Sequence, residues 1–420
     1  MAGLVPATHA LLCGKKGVGA RHKAGHDDRG IVRASIRPES ALEHDPRQWN
    51  WPAAGKGRTA GRARGCRAAA ARVEQTGVAT FIGREPVAPT VVIQSKQGIG
   101  DVIWHLPFIR AIAATTAAGN VTFLTLPSTH GRELLAGEPC VAQTLYYENR
   151  GSELARGLHI ARFIALLRRL RPESVWILDR SARPAFAALV AGVPKRIGLG
   201  FGPQRWFITN AGIDRKFYHD HPIEWLTALM EAMQVPFAPS EPILRLRPAL
   251  TGAVAQRYAG RPRPWIALGI GSSSPDKDWP LERWAELIGA LARRSPGTAF
   301  LIGGPDHAAR AERLVQSAPA TCVNACDLSL MEATALMQNA DLFVGCDSGP
   351  MNLAAAVGTP AFGLFGATPV LSYSRFIHAI QADDGTPATQ RLARIMPSAV
   401  LARIEPYLCA QSAVLVNKPK

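Results

Sequence analysis

No run in these 420 residues approaches the roughly 18 consecutive apolar residues that a bilayer-spanning helix needs. The sequence is therefore read as that of a protein in water, attached to a membrane only at its surface. Nor is there a secretory signal: Leu11-Leu12 is too short an apolar core, and Lys15-Lys16 follows it rather than precedes it. Cysteine is scarce and odd in number, seven in all, at positions 13, 66, 140, 322, 326, 346 and 409. Cys322 and Cys326 have no second Cys or His pair at zinc-site spacing, so they read as free thiols of a reducing cytoplasm. No solenoid-length repeat is present. Gly98-Ile99-Gly100 lacks the third glycine of a dinucleotide fingerprint, because Ile103 stands there, and this excludes a Rossmann NAD site.

What is present in excess is positive charge, a net of +16. Residues 1–88 hold 15 Lys and Arg against 7 Asp and Glu, half of that excess. This segment is rich in Arg, Gly and Ala and shows no sustained periodicity. It reads as a disordered leader or a misassigned start, or else as a basic tail for nucleic acid or a membrane surface. It lacks the interleaved aromatics of a nucleic-acid binder, so no specific nucleic-acid partner is expected.

From residue 89 onward, strand and helix patterns alternate, which predicts parallel sheets covered by helices. Strands are expected at 90–94, 120–125, 143–147, 174–178 and 196–198, then at 265–268, 298–302, 321–323, 340–344 and 360–364. Helices are expected at 101–118, 129–136, 152–170, 181–191 and 221–234, then at 281–294, 306–317, 329–338 and 348–357. The length exceeds one usual domain. The expected division is a first α/β domain at 89–245, a Pro/Arg-rich linker at 246–264, a second α/β domain at 265–410 and a tail at 411–420. Two doubly wound domains facing a cleft follow, with ligands beyond the carboxyl ends of the strands.

Strand-to-helix turns carry the chemistry. Val344-Gly345-Cys346-Asp347-Ser348-Gly349-Pro350-Met351-Asn352 reads as a strand, a tight turn and a helix start, with Asp347 in the N-cap position. Free backbone N–H groups and the positive end of the helix dipole make such a turn an anion site, typically for a diphosphate. Gly349 would let a ligand approach the backbone. A capped helix alone would account for the same residues. In the turn after 90–94, Asp101 reads either as an N-cap or as a general base facing a cleft. After 265–268, the hydroxyls of Ser272 and Ser273 and the charge of Lys277 suit phosphate oxygens, though a solvated loop is the ordinary alternative. Asp306 follows Gly303-Gly304-Pro305 and suits a ribose hydroxyl or a helix cap.

Together these motifs resemble glycosyltransferase family 9, the ADP-heptose:lipopolysaccharide heptosyltransferases. The resemblance rests on Gly98-Ile99-Gly100-Asp101-Val102-Ile103 with Leu106-Pro107, on Asp276-Lys277-Asp278-Trp279-Pro280 with Trp284, and on Asp347 to Met351 with Ala354-Ala355-Ala356, Gly358-Thr359-Pro360 and Leu364-Phe365-Gly366. It covers about residues 89–410 and implies a GT-B fold. It also implies inverting transfer of heptose from ADP-heptose to a lipopolysaccharide inner-core acceptor, with no metal and no cofactor. By the same resemblance Asp101 is the general base, and Lys277, Ser272 and Ser273 lie on the donor phosphates. Asp306 lies near the ribose and Asp347 beside the donor sugar, while Ser348, Gly349, Pro350 and Met351 present their amides. The family usually has His where this chain has Asn352, and Asn carries neither charge nor proton. That departure keeps three alternatives open: another nucleotide-sugar donor, a protein acceptor, or a non-catalytic sugar-nucleotide-binding relic. The expected partners are a nucleotide sugar and an anionic glycolipid at the inner membrane surface, met by Arg162, Arg168, Arg169, Arg171, Arg180, Arg183, Lys195 and Arg196. The expected location is the cytoplasm, peripheral on the inner membrane.

Overall fold

Apolar, β-branched runs of four to six residues are too short for stable helices and pair as strands. A computed structural model describes residues 90–148, 152–272, 277–294, 297–366, 370, 374–382 and 391–416. The segment 1–88 and Ser273 lie outside the described residues. The first unit is β1 (Thr90–Ile93), α1 (Ile99–Ala114), β2 (Val121–Thr125), α2 (Gly131–Leu134), β3 (Val141–Tyr146), α3 (Glu153–Leu170), β4 (Ser174–Ile177), α4 (Ala182–Val190), β5 (Lys195–Ile197) and α5 (Pro222–Ala232). Its five strands are all parallel, in the order β3-β2-β1-β4-β5.

The second unit begins earlier than the sequence suggested. The stretch read as a linker contains α6 (Pro248–Arg257), started by a proline in the first turn, where its missing N–H costs nothing. After it come β6 (Trp265–Gly269), α7 (Leu281–Arg294), β7 (Thr298–Ile302), α8 (Ala308–Val315), β8 (Cys322–Asn324), α9 (Leu330–Asn339), β9 (Leu342–Cys346), α10 (Gly349–Ala356), β10 (Ala361–Leu364), β11 (Ile377–Ile380), α11 (Arg391–Arg394) and α12 (Pro397–Val416). The six strands are parallel in the order β11-β10-β9-β6-β7-β8. Helix α6 packs on α9, and α12 packs on α7. Helix α12 runs six residues into the segment read as a tail.

In both sheets the first strand is central. Val92 of β1 pairs with Phe123 on one side and Trp176 on the other. Leu268 of β6 likewise pairs with Leu301 and Val344. The chain winds outward in one direction and then crosses to the other side, so the crevices beyond β1/β4 and β6/β9 are the switch points where ligands bind in such sheets. One apolar core is shared by the two units, taking in Leu106, Ile109 and Trp225 of the first and Phe343, Leu353 and Ala354 of the second. Burying a Leu or Ile such as Leu106 or Ile109 contributes about 2 kcal/mol each.

Candidate active site

Helices α1 and α10 bring the two switch points together. Their N-terminal ends pack on each other across the two units. A Cβ placed on Gly100 would stand 2.8 Å from Asn352 Nδ2, and one on Gly349 would stand 3.2 Å from Ile99 Cβ. Gly349 therefore makes room for α1; its bare Cα is what lets the two helix ends meet.

On the α1 side, Asp101 is not the N-cap. Gly98 holds that position, and Asp101, in the third helical residue, accepts the Gly98 N–H through Oδ2 at 3.1 Å. That bond orients the carboxylate and leaves Oδ1 to face other groups. Buried His105, one turn on, bridges from the Asp101 carbonyl to the Leu178 carbonyl, the latter at 3.2 Å, and so ties the α1 start to the end of β4. His105 is thus committed to the main chain.

On the α10 side the N-cap is Ser348, one residue later than expected, and its hydroxyl donates to the Cys346 carbonyl at 3.0 Å. Pro350, second in the helix, has no N–H, so it drops out of the amides the sequence assigned to phosphate binding. Met351 is fully buried and its Sδ fills the space left by Gly363, so only its backbone faces the turn. Ser348, Gly349 and Met351 remain as the N–H donors of this helix start. Asn352 is 6% exposed; its Nδ2 donates to the Ser348 carbonyl at 2.9 Å, and its Oδ1 is buried with no partner in the protein. The carbonyl can only accept, which fixes the amide orientation and leaves an unused acceptor at the helix junction.

Asp347, in the turn before α10, pairs with Lys277 at 3.4 Å. The lysine is 32% exposed, so solvent screens the pair and its worth to stability is about 0–1 kcal/mol. Strands β9, β6 and β7 lie side by side, and the turns beyond them carry Asp347, Ser272 and Asp306 along one sheet edge. Asp306 is exposed in a short 3-10 turn, Pro305–His307. His307 fills the cradle between two glycines: a Cβ on Gly271 would stand 2.0 Å from its Nε2, and one on Gly303 2.8 Å from its Cβ. Asp276-Lys277-Asp278 has the Asp-x-Asp spacing that often holds a divalent ion. Asp276 lies outside the described residues, while Asp278 is ion-paired with Arg310 at 2.9 Å. Among the described residues no cluster of three potential metal ligands occurs.

Three functional candidates escaped the sequence reading. His221 caps α5, its Nδ1 accepting the Ile223 N–H at 3.3 Å. Burial lowers its pKa to about 4, with Asp101 opposing and His105 and Lys96 adding to the fall. The His221-Pro222 pair is a helix-start signal that was available in the sequence. Asp179, buried just beyond β4, accepts from the Ser95 and Ser181 N–H groups at 2.5 and 2.7 Å and so holds the β1 and β4 turns together. Tyr147, whose hydroxyl donates to Ser95 Oγ at 2.9 Å, has its pKa raised by burial and by Asp179. Ser95, Tyr147, His159, Ser181 and Arg183 line a cavity of about 120 Å³ between α3 and α4 at the ligand edge of the first sheet.

The model of the family described as "Glycosyltransferase family 9 (heptosyltransferase)" matches residues 160–381. The lipopolysaccharide core heptosyltransferase OpsX of Haemophilus influenzae is 29% identical over 293 residues, covering 66% of this chain and 78% of that protein. The solved ADP-heptose lipopolysaccharide heptosyltransferase II of Escherichia coli superimposes with a TM-score of 0.64 at 21% identity, covering 77% of this chain and 99% of that one. The Escherichia coli heptosyltransferase WaaC with ADP-2-deoxy-2-fluoro heptose gives 0.59 at 18% identity, covering 76% and 99%. The GT-B arrangement of two Rossmann-like units is common to both.

Proposed function

Because the chain belongs to glycosyltransferase family 9 and is a glycosyltransferase of the heptosyltransferase type, we propose that it transfers heptose from ADP-heptose to an inner-core lipopolysaccharide acceptor, with inversion and without a metal ion. The observation that carries this reading is the meeting of the α1 and α10 starts, Gly100 against Asn352 and Ile99 against Gly349, which supports a site shared by the helix that bears Asp101 and the helix end that follows Asp347.

The acceptor hydroxyl gives its proton to Asp101 as its oxygen attacks the anomeric carbon. The bond from that carbon to the diphosphate breaks on the opposite face, and ADP leaves with the bonding electrons. General-base help of this kind is worth about 10²–10⁴ in rate. Lys277, the Ser272 and Ser273 hydroxyls and the N–H groups of Ser348, Gly349 and Met351 meet the charge gathering on the diphosphate. Asp306 holds a ribose hydroxyl, and Asp347 orients Lys277 and the donor sugar. Asn352, where the family usually has His, brings neither a charge nor a transferable proton to the helix junction. That difference supports a second reading, a donor sugar other than heptose on the same machinery.

Calorimetric titration with ADP-heptose, UDP-sugars and GDP-sugars in EDTA separates the two. Selective binding of ADP-heptose supports the first reading and its metal independence. Preference for another nucleotide sugar replaces the donor, and absence of binding to all of them removes the transferase assignment.

A further inference from the structure

Two asymmetries of this molecule fall in the same segment of the chain. The first is charge. From residue 89 onward there are 33 Lys and Arg against 25 Asp and Glu; residues 157–219 alone hold 11 against 3, and everything else in that span balances. The second is exposed apolar surface. Eight large hydrophobic side chains are exposed among the described residues, and six of them, Leu158, Phe186, Leu189, Val190, Trp206 and Tyr218, lie in the same segment.

Those on α4 and on the turn at 202–206 belong to elements that pack on each other. Helix α4 buries Pro184, Ala185, Ala187 and Ala188 and turns Arg183, Phe186, Leu189 and Val190 outward. This is the pattern of an amphipathic helix whose outer face is apolar and basic where a solvated face would be polar. Helices α3 and α4 pack side by side, and α4 packs on the turn Gly202–Trp206. Arg168 of α3 donates to the Val190 carbonyl at 3.1 Å. Phe186 meets Phe207 edge-on at 5.5 Å, and Arg205 covers the ring of Trp206, which is itself 66% exposed. Aromatic and aliphatic side chains standing out among arginines suit the boundary between lipid headgroups and acyl chains, where the apolar part sinks and the cations meet phosphate.

We propose that the face made by α3, α4 and the Gly202–Trp206 turn docks on an anionic lipid bilayer. A protein partner of acidic character would match the charge but gives no reason for Phe186, Leu189 and Trp206 to stand singly in solvent. A second copy of the chain would set arginine against arginine. The cavity lined by Ser95, His159 and Arg183 opens between α3 and α4, so docking here brings it to the lipid surface. The inference rests on the proposed function only for what an amphiphilic acceptor gains from this; the docking itself needs no acceptor.

The test is sedimentation of the full chain with vesicles of phosphatidylcholine alone and of phosphatidylcholine with about one third phosphatidylglycerol, neither containing acceptor. The wild type is expected to partition onto the anionic vesicles only and to be released by salt, since each arginine near such a surface is worth about fivefold in partitioning. The triple variant Phe186→Ser, Leu189→Ser, Trp206→Ser is expected to lose at least tenfold, while Met396→Ser, an exposed apolar position in the second unit, matches the wild type. Residues 1–88 are the same in every variant, so the comparison isolates this face. Hydrogen exchange at 182–190 and 202–206 should slow on vesicles. Equal partitioning of wild type and triple variant overturns the proposal. So does a concentration-dependent dimer that the triple variant abolishes. ADP affinity, read alongside, fails only if the transferase reading fails.

Discussion

Replacing His221 by Asn should flatten the acid side of the stability curve without disturbing the fold. Asn is among the best N-cap residues, so the bond to the Ile223 N–H is kept while the titrating ring is removed. In the folded protein His221 has its pKa lowered to about 4, chiefly by burial, with His105 and Lys96 adding to it and Asp101 opposing. Unfolded, the same ring titrates near the ordinary value of about 6.5. Below that value the unfolded chain binds more protons than the folded one, so stability falls as the pH drops from about 6.5 through 4. The full gap corresponds to about 3 kcal/mol, of which about 2 kcal/mol is expressed at pH 5. Urea unfolding of both proteins at pH 7.5 and pH 5.0 measures it. The wild type should lose about 2 kcal/mol more than His221→Asn over that interval. An equal loss in the two proteins would refute the claim that burial keeps this ring neutral beside Asp101.

Asp101→Asn keeps the Gly98 contact but cannot take a proton, so turnover should fall by about 10²–10⁴ with ADP affinity nearly unchanged; wild-type kcat in this variant would end the base assignment. Lys277→Ala should raise the donor KM and lower kcat together, and steady-state kinetics showing neither change would remove the lysine from the diphosphate. Gly100→Ala drives a methyl to 2.8 Å from Asn352, so it should cost about 1–3 kcal/mol of stability and impair activity. Adding Asn352→Ala should recover the stability but not the activity, which a double-mutant cycle reads. Cys322 and Cys346, with pKa values pushed up to about 12 by burial, should stay unmodified by a maleimide in the native protein at pH 8; peptide mass spectrometry checks this site by site.

The architecture was legible because its signals are local. Runs such as Val91-Val92-Ile93 and Leu342-Phe343-Val344 are buried on both faces of parallel sheets, and they read as strands without any tertiary information. The expected alternation of strand and helix up to β10 matches the observed order, apart from α6. The elements missed were those whose signal is divided or overwritten. Helix α6 begins inside a run of prolines, and a first-turn proline looks like a linker until the partner α9 is known. Strand β11 acquires its place by pairing with β10, and helix α12 by packing on α7, which lies far off in sequence. The candidate site divides in the same way. Which residues stand near strand ends follows from the order of residues, and the structure places Asp101, Ser272, Asp306 and Asp347 in or beside such turns. What each one touches does not follow. Capping shifted by one residue at Asp347 and by three at Asp101, because the helix start is set by backbone bonding and not by the nearest acidic side chain. Gly349 read as room for a ligand, and the structure sets Ile99 against it, since a glycine in sequence says that something comes close without saying what. The residues overlooked owe their places to distant segments: His221, about 120 positions on, comes near Asp101, while Asp179 and Tyr147 are joined to Ser95 beyond β1. A candidate site shared by two units is therefore half-written in the chain: the groups are there to be read, while the meeting of their helices belongs to the packing of α1 against α10.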